Sequence, residues 1–251
     1  MSGHLKTTPL PLLALTLGLG LAPLMVNADT LRVGMQQEPT SLDPTADATA
    51  SIDSMLTMNV FEALTTVAEN GEVLPNLATG WDVSEDGLTY TFTLAQGVKF
   101  HDGSDFNADD VVFSFNRAMA EDSVNPSKGI FKPVASVTAL DPSTVEIKLT
   151  NKDAFFLFNM GQGDSAIVAE ETAATNNTNP VGTGPFKLDS WTRGDRLTLV
   201  KNPDHRDADT VALDSVEFRF ISDPAAATAA MMAEELDAFP GFPAPELLPQ
   251  F

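Results

Sequence analysis

The strongest constraint on this chain is a seven-residue alternation, "LTYTFTL" at residues 88–94. Leu88, Tyr90, Phe92 and Leu94 fall on one face, and Thr89, Thr91 and Thr93 on the other. A period of two with β-branched and aromatic residues specifies a half-buried strand. "SEDG" before it forms a turn back to "GWDV", so the pair reads as a hairpin. The plan recurs in "VTALDPSTVEIKL" around Asp141-Pro142-Ser143 and in "GPFKLDSWTRGDRLTLVKN" around Arg193-Gly194-Asp195. "TLRVGM", residues 30–35, alternates in the same way and reads as an opening strand.

Helical windows interrupt these hairpins. Ile52, Met55, Leu56, Val60 and Leu64 stand at helical spacing in a unit that Gly71 ends. Others are residues 109–119, "DAFFLFNM" and "PAAATAAMMAEELDAF". Strands and helices mix, with hairpins prominent, which is an α/β chain without regular βαβ alternation.

Residues 1–28 stand apart from fold reasoning. A single lysine, Lys6, precedes the apolar run "LLALTLGLGL", and Val26-Asn27-Ala28 supplies small residues where a signal peptidase cuts. A membrane span needs about 20 apolar residues, and this run is shorter and flanked by Pro9, Pro11 and Pro23. A cleaved export signal is expected, with Asp29 opening the mature chain. The chain has no cysteine, so it holds no disulfide and no thiol chemistry. Fourteen basic residues face 35 acidic ones, for a net charge of −21. Such a surface repels phosphate backbones and argues against nucleic-acid partners.

One stretch invites a chemical reading: "FHDGSDFNADDVVFSFNR", residues 100–117. It gathers His101, Asp102, Asp105, Asp109 and Asp110. Asp102-Gly103 suits a turn, and Asn107 suits a helix N-cap. Asp109 and Asp110 complement the dipole of the first turn, and Val111, Val112, Phe115 and Met119 supply a buried stripe. The acids therefore have structural work to do, and a metal site would need further converging ligands. The alternative is an exported metal-dependent or acid–base hydrolase using His101, Asp102 and Asp105.

Other motifs are weak. "GQGDSA", residues 161–166, matches G-x-G-x-x-A but follows a helical window rather than a strand. Arg193-Gly194-Asp195 sits where a hairpin needs its turn. Asn176-Asn177-Thr178 fits a glycosylation sequon. "NPDHRDADT" lacks the glycine and later glutamate of a calcium loop. No nucleophile elbow, metalloprotease helix motif or phosphate loop occurs.

Taken together, four segments resemble the solute-binding proteins of the peptide/nickel class of ABC importers. They are residues 74–117, "NPVGTGPFKLDSW", "SLDPT" and "VEFRFISDPAAATAAMMAEELDAF". The resemblance implies a clamshell like the type II periplasmic binding proteins. It assigns residues 1–28 to a signal peptide and 29–60 and 178–238 to the first lobe. Residues 61–177 become an inserted extra domain, and 239–251 a continuation toward a second lobe that this sequence lacks. A fragment or truncated product, unable alone to hold peptide with useful affinity, is the corresponding expectation. The resemblance further implies a periplasmic monomer that binds peptide or another small solute and hands it to an inner-membrane permease. It calls for no catalysis, cofactor or metal. Ligand contacts fall by approximate alignment at Ala48, Thr49 and Ala50, after the first strand, and at Ile130 and Phe131. The ligand itself stays open: peptides, nickel chelates, opines and sugars all occur in the wider family. His205-Arg206 stands where many relatives carry an aromatic pair.

Overall fold

A computed structural model of the chain describes residues 29–47 and 49–250. The export signal expected at residues 1–28 and the candidate contact Ala48 lie outside them. No helix among the described residues is long and apolar enough to cross a membrane.

Two four-stranded sheets organise the molecule. The first is built from β1 (Thr30–Met35), β8 (Phe186–Thr192), β9 (Arg196–Lys201) and β10 (Ser215–Phe220), in the order β1-β10-β9-β8. β1 runs parallel to β10, pairing Thr30 with Ser215 and Val33 with Phe218; the other pairs are antiparallel. The second sheet is wholly antiparallel, in the order β4-β5-β7-β6. Its strands are β4 (Ala78–Val83), β5 (Thr89–Leu94), β6 (Val134–Asp141) and β7 (Thr144–Leu149). A short hairpin, β2 (Thr65–Val67) with β3 (Val73–Pro75), precedes it.

Each sheet has its own hydrophobic core. Val33, Ile52, Met55, Phe61, Leu197, Leu199 and Phe218 pack under the first sheet. Phe92, Val111, Phe115, Phe131, Ile147 and Phe156 pack under the second. Residues 166–169 run between the two and alternate: Ala166 and Val168 belong to the first core, Ile167 and Ala169 to the second. The period-two rule of an extended chain thus stitches the cores together.

The opening helix α1 (Ala50–Leu56) is shorter than the spacing of Val60 and Leu64 predicts. Met58 takes a left-handed conformation with φ 64°, which stops the helix. The chain beyond it pairs with distant backbone instead. Phe186 N donates to Asn59 O at 2.9 Å, Gly184 N to Val60 O at 3.0 Å, and Ile167 N to Glu62 O at 2.9 Å. Val60 and Leu64 are buried, but not on a helix face.

Helix α2 (Ala108–Met119) follows its sequence signals closely. The Asn107 side chain accepts from Asp109 N at 2.7 Å, and Asp110 reaches back to Asn107 N at 2.9 Å, a reciprocal capping box. Val111, Ser114, Phe115 and Ala118 form the buried face, with Val112 and Met119 half-buried at its margins. "DAFFLFNM" yields only the short α3 (Phe156–Asn159), leaving Phe155 and Phe158 exposed. Helix α4 (Pro224–Met232) starts at an Asp223 cap that accepts from Ala226 N. The chain then returns beside β1, where Arg32 grips Asp237 at 2.7 Å.

Candidate functional site

The loop after β1 is the first element of the site, and distant residues fix it in place. Glu38 accepts from Trp191 Nε1 and from Gly194 N, both at 3.0 Å. The Arg193 guanidinium lies 3.5 Å from the Trp191 ring centre and donates to Pro39 O and Thr40 O. The β8–β9 turn therefore clamps the start of the loop, and its Arg-Gly-Asp tripeptide acts as scaffold. Within the loop, Asp43 accepts from Thr45 N at 2.9 Å and from Thr45 Oγ1 at 2.6 Å. Arg117, in the last turn of α2, pairs with Asp43 at 3.0 Å and donates to Thr45 Oγ1 at 2.5 Å. Asp43 is only 2% exposed. "SLDPT" of the first sheet and the end of α2 are thus joined by a buried, charge-assisted contact.

This contact closes one side of a cavity of about 200 Å³. Phe115 and Phe131 supply an apolar wall, Thr45 and Arg117 line the loop side, and Asp122, Asn125 and Asp164 add polar groups. Burial pushes the Asp164 carboxyl up from its ordinary range, Ser127 opposes the shift, and neighbouring Asp53 adds to it. Among the described residues no cation pairs with Asp164 or Asp122, while the cavity's arginine is committed to Asp43.

The residues expected at the site are placed as follows. Thr49 is the N-cap of α1 and donates through Oγ1 to Asp47 at 2.6 Å; Ala50 is exposed at the first position of that helix. The hydroxyls of Thr40 and Thr49 hold the Asp47 carboxyl below its ordinary range. Ile130 is half-buried in the turn before β6, and Phe131 is 3% exposed, edge-on to Phe115 at 5.4 Å. Phe131 reaches the cavity as part of its wall; Thr49, Ala50 and Ile130 do not line it. Thr45, Arg117 and Asp164, which do, carry no local signal of contact. Thr45 and Arg117 lie inside "SLDPT" and "FHDGSDFNADDVVFSFNR", but their meeting spans 72 residues of sequence.

His101, Asp102 and Asp105 do not converge. Asp102 caps its own turn by accepting from Ser104 N and Oγ, and Asp105 pairs with Lys99 at 2.6 Å. No group of metal-ligating side chains that could hold a metal occurs among the described residues. The hydrolase alternative finds no support. His101 serves a different structure, a polar knot between the two cores. Its Nε2 lies 3.0 Å from Gly184 O and its Nδ1 accepts from Gly182 N. That pairing demands a neutral ring with the proton on Nε2, and burial depresses its pKa.

Glu62 is the centre of the knot and is 3% exposed. Arg206 grips it with two bonds of 2.9 and 2.6 Å and also reaches Asn76 Oδ1 at 2.6 Å; Thr183 Oγ1 adds a bond of 2.8 Å. His205 Nδ1 accepts from Asp207 N, and its Nε2 stands 3.8 Å from Glu62 Oε1. Burial pushes the Glu62 carboxyl up, but His205, Arg206 and Thr183 together hold it below the usual range. The loop carrying Thr183 needs its glycines: a Cβ on Gly182 would stand 2.0 Å from Val60 O, and one on Gly184 2.3 Å from Asn59 O. Arg206 is therefore the cationic arm of an inter-core brace, with His205 packed beside it.

"GQGDSA" is likewise a packing device. A Cβ on Gly163 would meet Asp53 Oδ1 at 2.4 Å and Thr57 Oγ1 at 2.5 Å. The sequon residue Asn176 is wholly buried and accepts from Val181 N, so its side chain is closed to glycosylation in this fold.

Comparison with known proteins places this geometry. The profile of the bacterial extracellular solute-binding proteins, family 5 (middle region), matches residues 72–251. The glutathione-binding protein GsiB of Salmonella typhi is 33% identical over 210 residues, covering 82% of this chain and 40% of that protein. Di/tripeptide-binding protein 1 of Pseudomonas aeruginosa is 33% identical over 227 residues, covering 80% of this chain and 41% of the relative. The chain thus spans about two fifths of the length of these curated relatives. Among solved structures, a dipeptide-binding protein from Pseudoalteromonas in complex with Met-Leu superposes with a TM-score of 0.79 at 27% identity, over 88% of this chain and 49% of that one. NikZ from Campylobacter jejuni in complex with Ni(L-His) gives 0.75 at 31% identity, over 85% and 43%.

Proposed function

The chain belongs to the bacterial extracellular solute-binding proteins of family 5, and from that premise we propose that it captures peptides or similar small solutes in the periplasm for an ABC permease of the inner membrane. The observation that carries the reading is the cavity between the "SLDPT" loop and α2. It is concave, half apolar and lined by a few polar groups, which suits holding a small solute rather than transforming it. Thr49, Ala50 and Ile130 would contact the solute beyond the cavity mouth, with Phe131 as part of the wall. Extended peptide could add main-chain hydrogen bonds along the loop.

The same reading makes residues 61–177 an inserted domain, supported by the second core around Phe92 and Phe156, to which most of their buried residues belong while Phe61, Ala166, Val168 and Ala173 pack in the first. It makes the product a periplasmic monomer released by cleavage after Ala28. Mass spectrometry of the exported protein checks the cleavage, and a mature N-terminus at Met1 would refute it. Binding is tested by thermal unfolding of the purified protein against di- and tripeptides, glutathione, a nickel–histidine complex and opines. A ligand that binds only the folded state raises the midpoint in a dose-dependent way. A dose-dependent shift supports the proposal and overturns the expectation that this chain alone holds no peptide with useful affinity; no shift from any of them overturns the proposal.

A further inference from the structure

We propose that the cavity beside Arg117 receives a positively charged group of the captured solute, an ammonium or guanidinium, with the Asp164 carboxylate as its counter-ion. The inference rests on the solute-capture reading above and adds the chemistry of what is captured.

Three observations carry it. The cavity holds about 200 Å³, room for roughly six or seven waters at their liquid volume, and so for a lysine- or arginine-sized side chain. Its one arginine is spent: Arg117 is bound to Asp43 at 3.0 Å and to Thr45 at 2.5 Å, leaving no free cation for an anionic solute. Its two carboxylates lack a cation: Asp122 is exposed, and half-buried Asp164 has only the Ser127 hydroxyl bonded to it. Asp164 and Asp122 have no ion-pair partner among the described residues, and Asp53 stands near enough to Asp164 to add repulsion. A half-buried carboxylate facing a second acid is costly unless a cation joins it. A solute carboxylate or phosphate entering this space would meet two unpaired negative groups. An ammonium or guanidinium would instead complete charge-assisted hydrogen bonds to Asp164. The apolar wall of Phe115 and Phe131 suits the methylene stem of such a side chain.

The test measures binding of Ala-Lys, Ala-norleucine, Ala-Glu and agmatine by calorimetry at low ionic strength. It is paired with NMR titration of the Asp164 carboxyl carbon. Wild-type protein should bind Ala-Lys at least tenfold more tightly than Ala-norleucine and reject Ala-Glu. Asp164→Asn, a near-isosteric change, should bring Ala-Lys and Ala-norleucine within twofold. Asp189→Asn, at an exposed acid on β8, should leave the preference intact. Agmatine should lower the titration midpoint of Asp164; if it does so while no dipeptide binds, the cation site stands with a free amine as its source, and only the peptide reading is weakened. Equal binding of Ala-Lys and Ala-norleucine would overturn the cation site while leaving solute capture in place. So would equal loss of preference in Asp189→Asn, which would trace it to the overall acidic field. An Asp164 titration unmoved by saturating agmatine or Ala-Lys would overturn it whether or not peptides bind.

Discussion

Two polar regions lie on the seam between the cores, and they are built in opposite ways. In the knot around Glu62, the carboxylate takes two bonds from Arg206 and one from Thr183, and His101 is satisfied on both nitrogens; only His205 Nε2, 3.8 Å from Glu62 Oε1, is left without a hydrogen-bond partner. In the cavity beside Arg117, the cation is matched and two carboxylates are left over. A closed network fixes geometry, because any disturbance leaves a buried group unpaired. An open one has binding energy still to release. The distinction assigns the knot to holding the two cores in register and the cavity to receiving a solute.

The largest effect expected comes from breaking the knot. Arg206→Met should destabilise the protein by about 3 kcal/mol, because Glu62 would stay charged, buried and without its main partner. Its carboxyl would then rise in pKa, so acidification should recover part of the loss. Urea unfolding at pH 7.5 and 5 measures both. A change below about 0.5 kcal/mol at pH 7.5 would mean that the knot is not a brace.

A smaller cost, about 1–3 kcal/mol, should follow Gly182→Ala, since the added methyl meets the Val60 carbonyl, which is backbone and cannot rotate away. Gly194→Ala offers the contrast: nothing lies within 4 Å of its Cβ, and only its φ of 74° opposes the change. If the two variants lose equal stability, close approach at the seam is not what Gly182 is for.

These regions also mark what could be read from sequence. The hairpins were legible because one buried face imposes period two on residues a few positions apart, as at Tyr90, Phe92 and Leu94. Helix α2 was legible because its cap and its first-turn acids sit next to one another in the chain. The end of α1 was not, because the carbonyls of Asn59, Val60 and Glu62 are taken by Phe186, Gly184 and Ile167, each more than 100 positions away. The knot was invisible for the same reason: Glu62 and Arg206 are 144 residues apart, and neither is unusual in its local sequence. His205-Arg206 drew notice only as a departure from an aromatic pair. Asp164 lies inside "GQGDSA", a weak G-x-G-x-x-A match whose Gly163 is demanded by close packing against α1.

The helix start supplies the next measurement. Asn107→Ala removes the acceptor for Asp109 N, so it should cost about 0.5–2 kcal/mol. Because α2 carries Arg117 to the cavity, the variant should also weaken solute binding slightly. An unchanged denaturant midpoint would mean that the cap is dispensable.

The smallest effect separates a lifted carboxyl that serves structure from one that serves a site. Burial pushes Asp110 up to about 6, against the opposing bond from Asn107 N, with Glu171 and Asp109 adding repulsion. Like Asp164 it is half-buried and faces acids, yet it already accepts the Asn107 N–H and does not line the cavity beside Arg117. Its folded-state pKa exceeds the unfolded value of about 3.9. Above about pH 6 both states are ionised and the folded state bears the full penalty. As pH falls from 6 toward 4, the folded state takes up its proton first and the penalty is relieved. Asp110→Asn imitates the protonated acid and keeps an oxygen for the Asn107 N–H. It should therefore stabilise the protein above pH 6 and be neutral near pH 4. A two-unit shift corresponds to about 3 kcal/mol in full, and solvent screening of the half-exposed group reduces this to about 1 kcal/mol. Unfolding midpoints of both proteins between pH 4 and 8 decide the matter. A pH-independent difference would place the cost in the cap rather than the charge. Added agmatine should leave the Asp110 titration where it is while moving that of Asp164, because only the second carboxylate faces a space that a cation can enter.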